Sequence, residues 1–344
     1  MSAGTLLVRA DASVAVGTGH VMRCLALAQA WQDAGGRAVF AMAESTPALA
    51  SRLRLENIEV LSISTPAASE EDAYQVKRLA RDYGATWVVV DGYRFEVGYQ
   101  RELKSAGFKL LVLDDAGVAE SPADLILNQN SNAIETMYAQ RADYNRLLLG
   151  TRYVLLRREF RAWRNRKRGV ASTAGRLLIT MGGSDPDNVT RLAIQALCMV
   201  KTGQLRSTVV AGGSNPNFEP LQKAALDLGD RIEITKTASN MPELMAQADM
   251  AVIAAGGTLW ELLYMLCPVL SFARNTVQGN ILADLHKRGV VQYLGDPRNA
   301  DPVSLAAVID ELAASSERRA KMATLGRQEV DGEGAQRVCE LIAE

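Results

Sequence analysis

Short aliphatic or β-branched runs alternate with amphipathic helical stretches along almost the whole chain, and this rhythm limits the possible folds more than any other feature. Runs that are apolar at nearly every residue mark strands covered on both faces, so parallel strands joined by crossover helices are expected. In the first half the runs are TLLVRAD, RAVFAMA, IEVLSI, WVVVDGY, KLLVLDD and DLILNQN. The rhythm pauses at RREFRAWRNRKRGVASTAG, which is polar, strongly basic and ends in small residues. It resumes with RLLITMGGSD, RSTVVAGGS, IEITKT, DMAVIAAGG, PVLSFA and VVQYLG. A chain of 344 residues is long enough for two domains with separate cores. The expected architecture is α/β, with two Rossmann-like domains facing a cleft: residues 1–155, a linker over 156–175, and residues 176–344 ending in a charged helical tail from Ser304 onward.

The formal net charge is -1, so nothing global points to nucleic acid or to an acidic partner. The basic linker has no interleaved aromatic platform and reads as solvated helix surface. Cys24, Cys198, Cys267 and Cys339 form no C-x-x-C pair, which suggests neither a zinc site nor a disulfide framework and fits a reducing cytoplasm. The chain enters an apolar run without a basic leader region or small-residue cleavage site, so export is not expected. One stretch, MAVIAAGGTLWELLYMLCPVLSFA, has membrane-spanning length, but Gly256, Gly257, Glu261 and Pro268 break it into strand, turn, helix and strand. A buried α/β core is the reading, with no membrane span.

Four glycine turns follow strand candidates: Gly17-Thr18-Gly19-His20, Gly182-Gly183-Ser184, Gly212-Gly213-Ser214 and Gly256-Gly257-Thr258. In doubly wound sheets such turns let backbone approach phosphate where a helix N-terminus supplies free N–H groups, although some will only shape the chain. A dinucleotide site at the first turn, with Glu44 as ribose ligand, fails because Met22 stands where the third glycine of G-x-G-x-x-G belongs. Asp185-Pro186-Asp187 has the D-x-D spacing of a metal pair, but a carboxylate and proline ahead of NVTRLAIQAL read as a helix start, and no metal is expected. In AAGGTLWELLYML the turn offers amides to a diphosphate, and Glu261 one turn later can accept from a ribose diol or simply offset the helix dipole.

RADASVAVGTGHVMRCLALA resembles the opening motif of the PseG family, the UDP-sugar hydrolases of pseudaminic acid biosynthesis, with MurG-like glycosyltransferases as more distant relatives. VVVDGY with Tyr93, VLDD at Asp114-Asp115, DLILNQN, GTRYVLLRREF, ITMGGSDPDN and GGTLWE are similar to that family's segments, in its order. The resemblance implies a GT-B fold and hydrolysis of UDP-2,4-diacetamido-2,4,6-trideoxy-β-L-altrose, with inversion at the anomeric carbon and release of UDP. It implies His20 as catalytic base, Tyr93 near the sugar, diphosphate contacts at Thr258 and the Leu259 amide, and a ribose contact at Glu261. The chain departs from the family at Val277-Gln278, where an Asn-Gln pair is usual. Gln278 remains a candidate contact ahead of a helix read from Ile281 in ILADLHKRG, and Asn280, at the start of that helical pattern, is the preferred replacement for the missing amide, with Asn275 expected to shape the turn.

UDP is a weakly basic leaving group, so charge stabilisation by helix N-termini can replace a cofactor or metal. Water is the poor partner and needs a positioned base, which would explain why one of only two histidines stands directly after a glycine turn. Asp11 or another polar group would orient the ring, and Arg23, one turn along, would reach phosphate or support the loop. His286, in ADLHKRG, reads as a surface residue. A UDP-sugar glycosyltransferase using the same site is the alternative.

Overall fold

In the computed structural model, which describes residues 4–13, 16–117, 120–203 and 205–344, the chain forms two α/β units. The first contains Met1–Arg158 and Gly332–Glu344, and the second Glu159–Asp331. Val14 and Ala15 of the opening motif lie outside the described residues.

The first unit is a seven-stranded parallel sheet: β1 (Thr5–Ala10), β2 (Arg37–Met42), β3 (Glu59–Ser62), β4 (Ala85–Asp91), β5 (Lys109–Leu113), β6 (Leu125–Asn128) and β7 (Arg146–Leu149). Their order is β3-β2-β1-β4-β5-β6-β7. Val88, Val89 and Val90 are wholly buried, as a strand covered on both faces requires. One face is covered by α1 (Gly19–Asp33) and α2 (Pro47–Leu55) through Val21, Cys24, Leu27 and Leu53. The other is covered by α3 (Glu70–Asp82) and α4 (Val97–Ser105) through Val76, Tyr99 and Leu103.

The second unit repeats the plan with β8 (Arg176–Thr180), α5 (Val189–Leu197), β9 (Arg206–Val210), α6 (Phe218–Ala224), β10 (Ile232–Thr235), α7 (Met241–Gln247), β11 (Met250–Ala254), α8 (Gly257–Tyr264), β12 (Val269–Phe272), α9 (Thr276–Lys287) and β13 (Gln292–Tyr293). The order is β10-β9-β8-β11-β12-β13. Three helices close the chain: α10 (Pro302–Ala314), α11 (Ser316–Glu329) and α12 (Gly334–Ala343). Two Rossmann-like parallel sheets are therefore present, as the strand rhythm predicts.

Three expectations need correction. The C-terminal tail does not all belong to the second domain. Ala335, Val338, Cys339 and Ile342 of α12 are buried with the core residues of α1, so this helix completes the first unit. The Asp185 carboxylate does hold the start of α5, its two oxygens accepting the Val189 and Thr190 amides at 2.9 Å each, but Pro186 is not in the first turn, since the helix begins at Val189. The helix expected from Ile281 begins at Thr276, because Asn275 caps it by accepting the Gln278 amide at 2.9 Å. The run MAVIAAGGTLWELLYMLCPVLSFA is strand, turn, helix and strand as read, and no helix among the described residues is long and apolar enough to cross a membrane.

Candidate active site

In the first unit the strand order reverses between β1 and β4, the point where doubly wound sheets bind ligands beyond the strands' carboxyl ends. The glycine turn delivers His20 there. Gly17 has φ +80, a backbone that favours glycine, and its amide donates to the Ser13 carbonyl at 2.8 Å. Gly19 opens α1, so His20 is the second residue of that helix.

Asp91, the last residue of β4, pairs in register with Ala10 of β1 and is fully buried. His20 Nδ1 lies 2.6 Å from its Oδ1. With the carboxylate ionised, Nδ1 carries the proton and donates, which leaves the lone pair on Nε2. Burial alone would raise the Asp91 carboxyl, but the Arg23 charge, with the hydrogen bonds from Arg23 and His20, holds it well below the ordinary carboxylate range. The sequence left open which group would orient the ring, and the structure answers with Asp91. Asp11 is engaged elsewhere: its Oδ1 accepts Arg9 Nη1 at 2.7 Å and the Ala43 and Glu44 amides at 2.8 and 3.1 Å. Wholly buried Arg9 also grips Asp72 through Nε and Nη2, so Asp11 belongs to a brace tying β1 and β2 to α3.

Arg23 is a salt-bridge residue. Its guanidinium grips Asp91 and continues to Asp115, with Nη1 to Oδ1 at 2.7 Å. Tyr93, 65% exposed, stands edge-on to the imidazole with ring centroids 5.0 Å apart and donates its hydroxyl to Asp115 Oδ2 at 3.3 Å. Desolvation and the Asp115 charge push the phenol up to about 12, so it acts as a donor at neutral pH. Asn130 Nδ2 reaches Asp115 Oδ1 at 3.2 Å. Cys24 Sγ is 3.4 Å from Asp91 Oδ2, and burial pushes its thiol upward, away from nucleophilic chemistry. Asp91, Asp115 and Asn130 were assigned no role from sequence. The available signal was their position, since carboxylates closing aliphatic runs in VVVD and VLDD sit at the strands' carboxyl ends.

In the second unit the strand order reverses between β8 and β11, and the turns after both strands are the glycine pairs. Gly182 and Gly183 are built against Gly212: a Cβ there would stand 2.3 Å from the Gly182 carbonyl oxygen, and Ser214 donates its amide to Gly183 at 2.9 Å. Gly257 and Thr258 head α8 after Gly256, and a helix leaves its first N–H groups without intrahelical acceptors. The Leu259 amide differs, since it donates to the Gly256 carbonyl at 3.0 Å. Glu261 is half-buried one turn inside α8. Gln278 serves the backbone on both sides, its Oε1 accepting the Arg274 amide and its Nε2 donating to Ala255, each at 2.9 Å, so it braces α9 against the turn before α8. Asn280 is exposed on α9. No group of histidine, cysteine and carboxylate side chains suited to a metal occurs among the described residues.

Residues 177–338 match the family model of the glycosyltransferase family 28 C-terminal domain, a match that ends inside α12. An uncharacterized protein of Methanocaldococcus jannaschii is 24% identical over 81% of this chain, which spans 57% of that relative's length. The UDP-2,4-diacetamido-2,4,6-trideoxy-β-L-altropyranose hydrolase of Campylobacter jejuni is 28% identical over 76% of this chain and 88% of its own. Acinetobacter baumannii MurG shares the fold, with a TM-score of 0.68 and 16% identity over 98% of this chain and 99% of MurG. The architecture is therefore α/β of the GT-B kind.

Proposed function

We propose that this protein hydrolyses a UDP-linked amino sugar, with UDP-2,4-diacetamido-2,4,6-trideoxy-β-L-altrose as its substrate, in pseudaminic acid biosynthesis in the cytoplasm. The observation that carries the reading is the His20–Asp91 pair at 2.6 Å, at the ligand-binding end of the first sheet. Asp91 orients the ring, and Nε2 takes a proton from water as the water oxygen attacks the anomeric carbon. The bond from that carbon to the UDP oxygen breaks, its electron pair leaves with UDP, and the configuration inverts. The α8 N-terminus, through Gly256, Gly257 and Thr258, meets the diphosphate, Glu261 the ribose, and Gly182 with Gly183 line the same end of the second sheet. The exposed Tyr93 meets the sugar, and Asn280 supplies the amide contact that Val277 cannot make. No metal or cofactor takes part: the D-x-D spacing that suggests one is explained by Asp185, whose two oxygens hold the start of α5.

Similarity to the Campylobacter hydrolase supports this reaction. The family 28 match favours a second reading, a glycosyltransferase that replaces water with an acceptor hydroxyl. Incubation with the UDP sugar alone, with EDTA present, separates them. Equal amounts of UDP and free sugar are expected, and His20→Asn should lower kcat by roughly 10²–10⁴-fold with substrate binding retained. UDP release only on addition of an acceptor would overturn hydrolysis in favour of transfer, and a near-normal kcat in His20→Asn would remove the base.

A further inference from the structure

The Asp91 carboxylate is shared, and the sharing decides what His20 can do. Beside the histidine bond it takes Arg23 Nε on Oδ2 and Arg23 Nη2 on Oδ1, both at 2.6 Å, a two-point fork. Around the imidazole stand Arg23 and Cys24 from α1, Asp91 at the end of β4, Tyr93 in the turn beyond it and Asp115 after β5. A buried aspartate facing only a histidine favours the ring protonated on both nitrogens, a form with no lone pair for water. The guanidinium is permanently charged and already compensates Asp91, which weakens that preference. Asp115 works in the opposite sense: held ionised by Arg23 against the effect of burial, it returns a negative charge to the cluster.

We propose that Arg23 and Asp115 are opposed positioning residues for His20. Arg23 holds Asp91 as a charge-compensated acceptor for Nδ1 and keeps the Nε2 lone pair free, while Asp115 preserves the basicity of that nitrogen. The kinetic consequence rests on the reading of His20 as base; the protonation behaviour does not.

The chain has two histidines, so both can be followed in the full-length protein by NMR after isotopic labelling of histidine, with His286, exposed near the end of α9, as internal reference. In Arg23→Gln the His20 ring should take up its second proton at higher pH, and in Asp115→Asn at lower pH, each by on the order of one pH unit, with His286 unmoved. The acid limb of kcat/KM should move in the same two directions. Lower rates in both variants with the His20 titration and the acid limb unmoved would overturn the proposal, as would shifts of the same sign. Should Arg23→Gln not fold, Asp115→Asn decides alone, because Arg23 still compensates Asp91 there, and an unmoved titration would be the overturning result. Absence of turnover in the wild-type protein would count against the hydrolase reading and leave the titration result standing.

Discussion

At the scale of single residues, the buried carboxylates around Arg23 make the protein's stability depend on pH. Asp91 and Asp115 are both held below the ordinary range, in each case because the guanidinium outweighs burial. A carboxylate whose folded pKa is depressed contributes stability that is present above the unfolded value of about 3.9 and is lost as pH falls through the folded value. The unfolding free energy should therefore decline from about pH 5 downward, and Asp115→Asn, with one such group removed, should decline less steeply. Urea unfolding across that range checks this, and parallel declines in the two proteins would take Asp115 out of the effect. His20 could be singled out from sequence because it is scarce and follows glycines. Its partner could not, because Asp91 is 71 residues away in sequence and only the pairing of β1 with β4 brings them together. Asp11, close in sequence, is drawn instead to the buried Arg9.

At the scale of elements, twelve strand runs were legible because parallel strands covered on both faces leave unbroken apolar stretches, as in VVV at the centre of β4. β7 was not, because no α-helix separates it from β6; the connection holds only a short turn of helix at Glu135–Tyr138. The early start of α9 was hidden for a different reason: Val277 is the only apolar residue of its first turn, and its start signal is an asparagine cap that leaves no periodicity. That cap separates two roles which sequence alone confuses. Asn275→Ala should lower stability by about 1 kcal/mol through the lost cap and leave UDP binding unchanged. Glu261→Ala should instead weaken UDP binding by on the order of 1–3 kcal/mol by leaving a ribose hydrogen bond unmade. Calorimetric titration with UDP and thermal unfolding of both variants distinguish them, and unchanged UDP affinity in Glu261→Ala would remove that carboxylate from the nucleotide site.

At the scale of the whole molecule, order in sequence and membership of a unit part company at the C-terminus. Nothing in the pattern of α12 says which sheet it covers, since an amphipathic helix offers the same apolar stripe to any core. The decision is made by packing. Val338, Cys339 and Ile342 are buried with Leu27 and Trp31 of α1, and Gly334 lets the chain approach the first unit so closely that a Cβ would stand 2.3 Å from the Val154 carbonyl oxygen. The helix that carries His20 thus depends for part of its cover on the last residues of the chain. Ile342→Ala should destabilise the first unit by about 2–5 kcal/mol, the usual range for emptying a buried aliphatic site. Hydrogen exchange reads the consequence element by element: α1 and β1 amides should exchange faster in the variant, while those of β8 and β11 keep their wild-type rates. Equal acceleration in both sheets would mean that the two units unfold as one, and unchanged exchange in α1 would mean that α12 adds nothing to the stability of the helix bearing the proposed base.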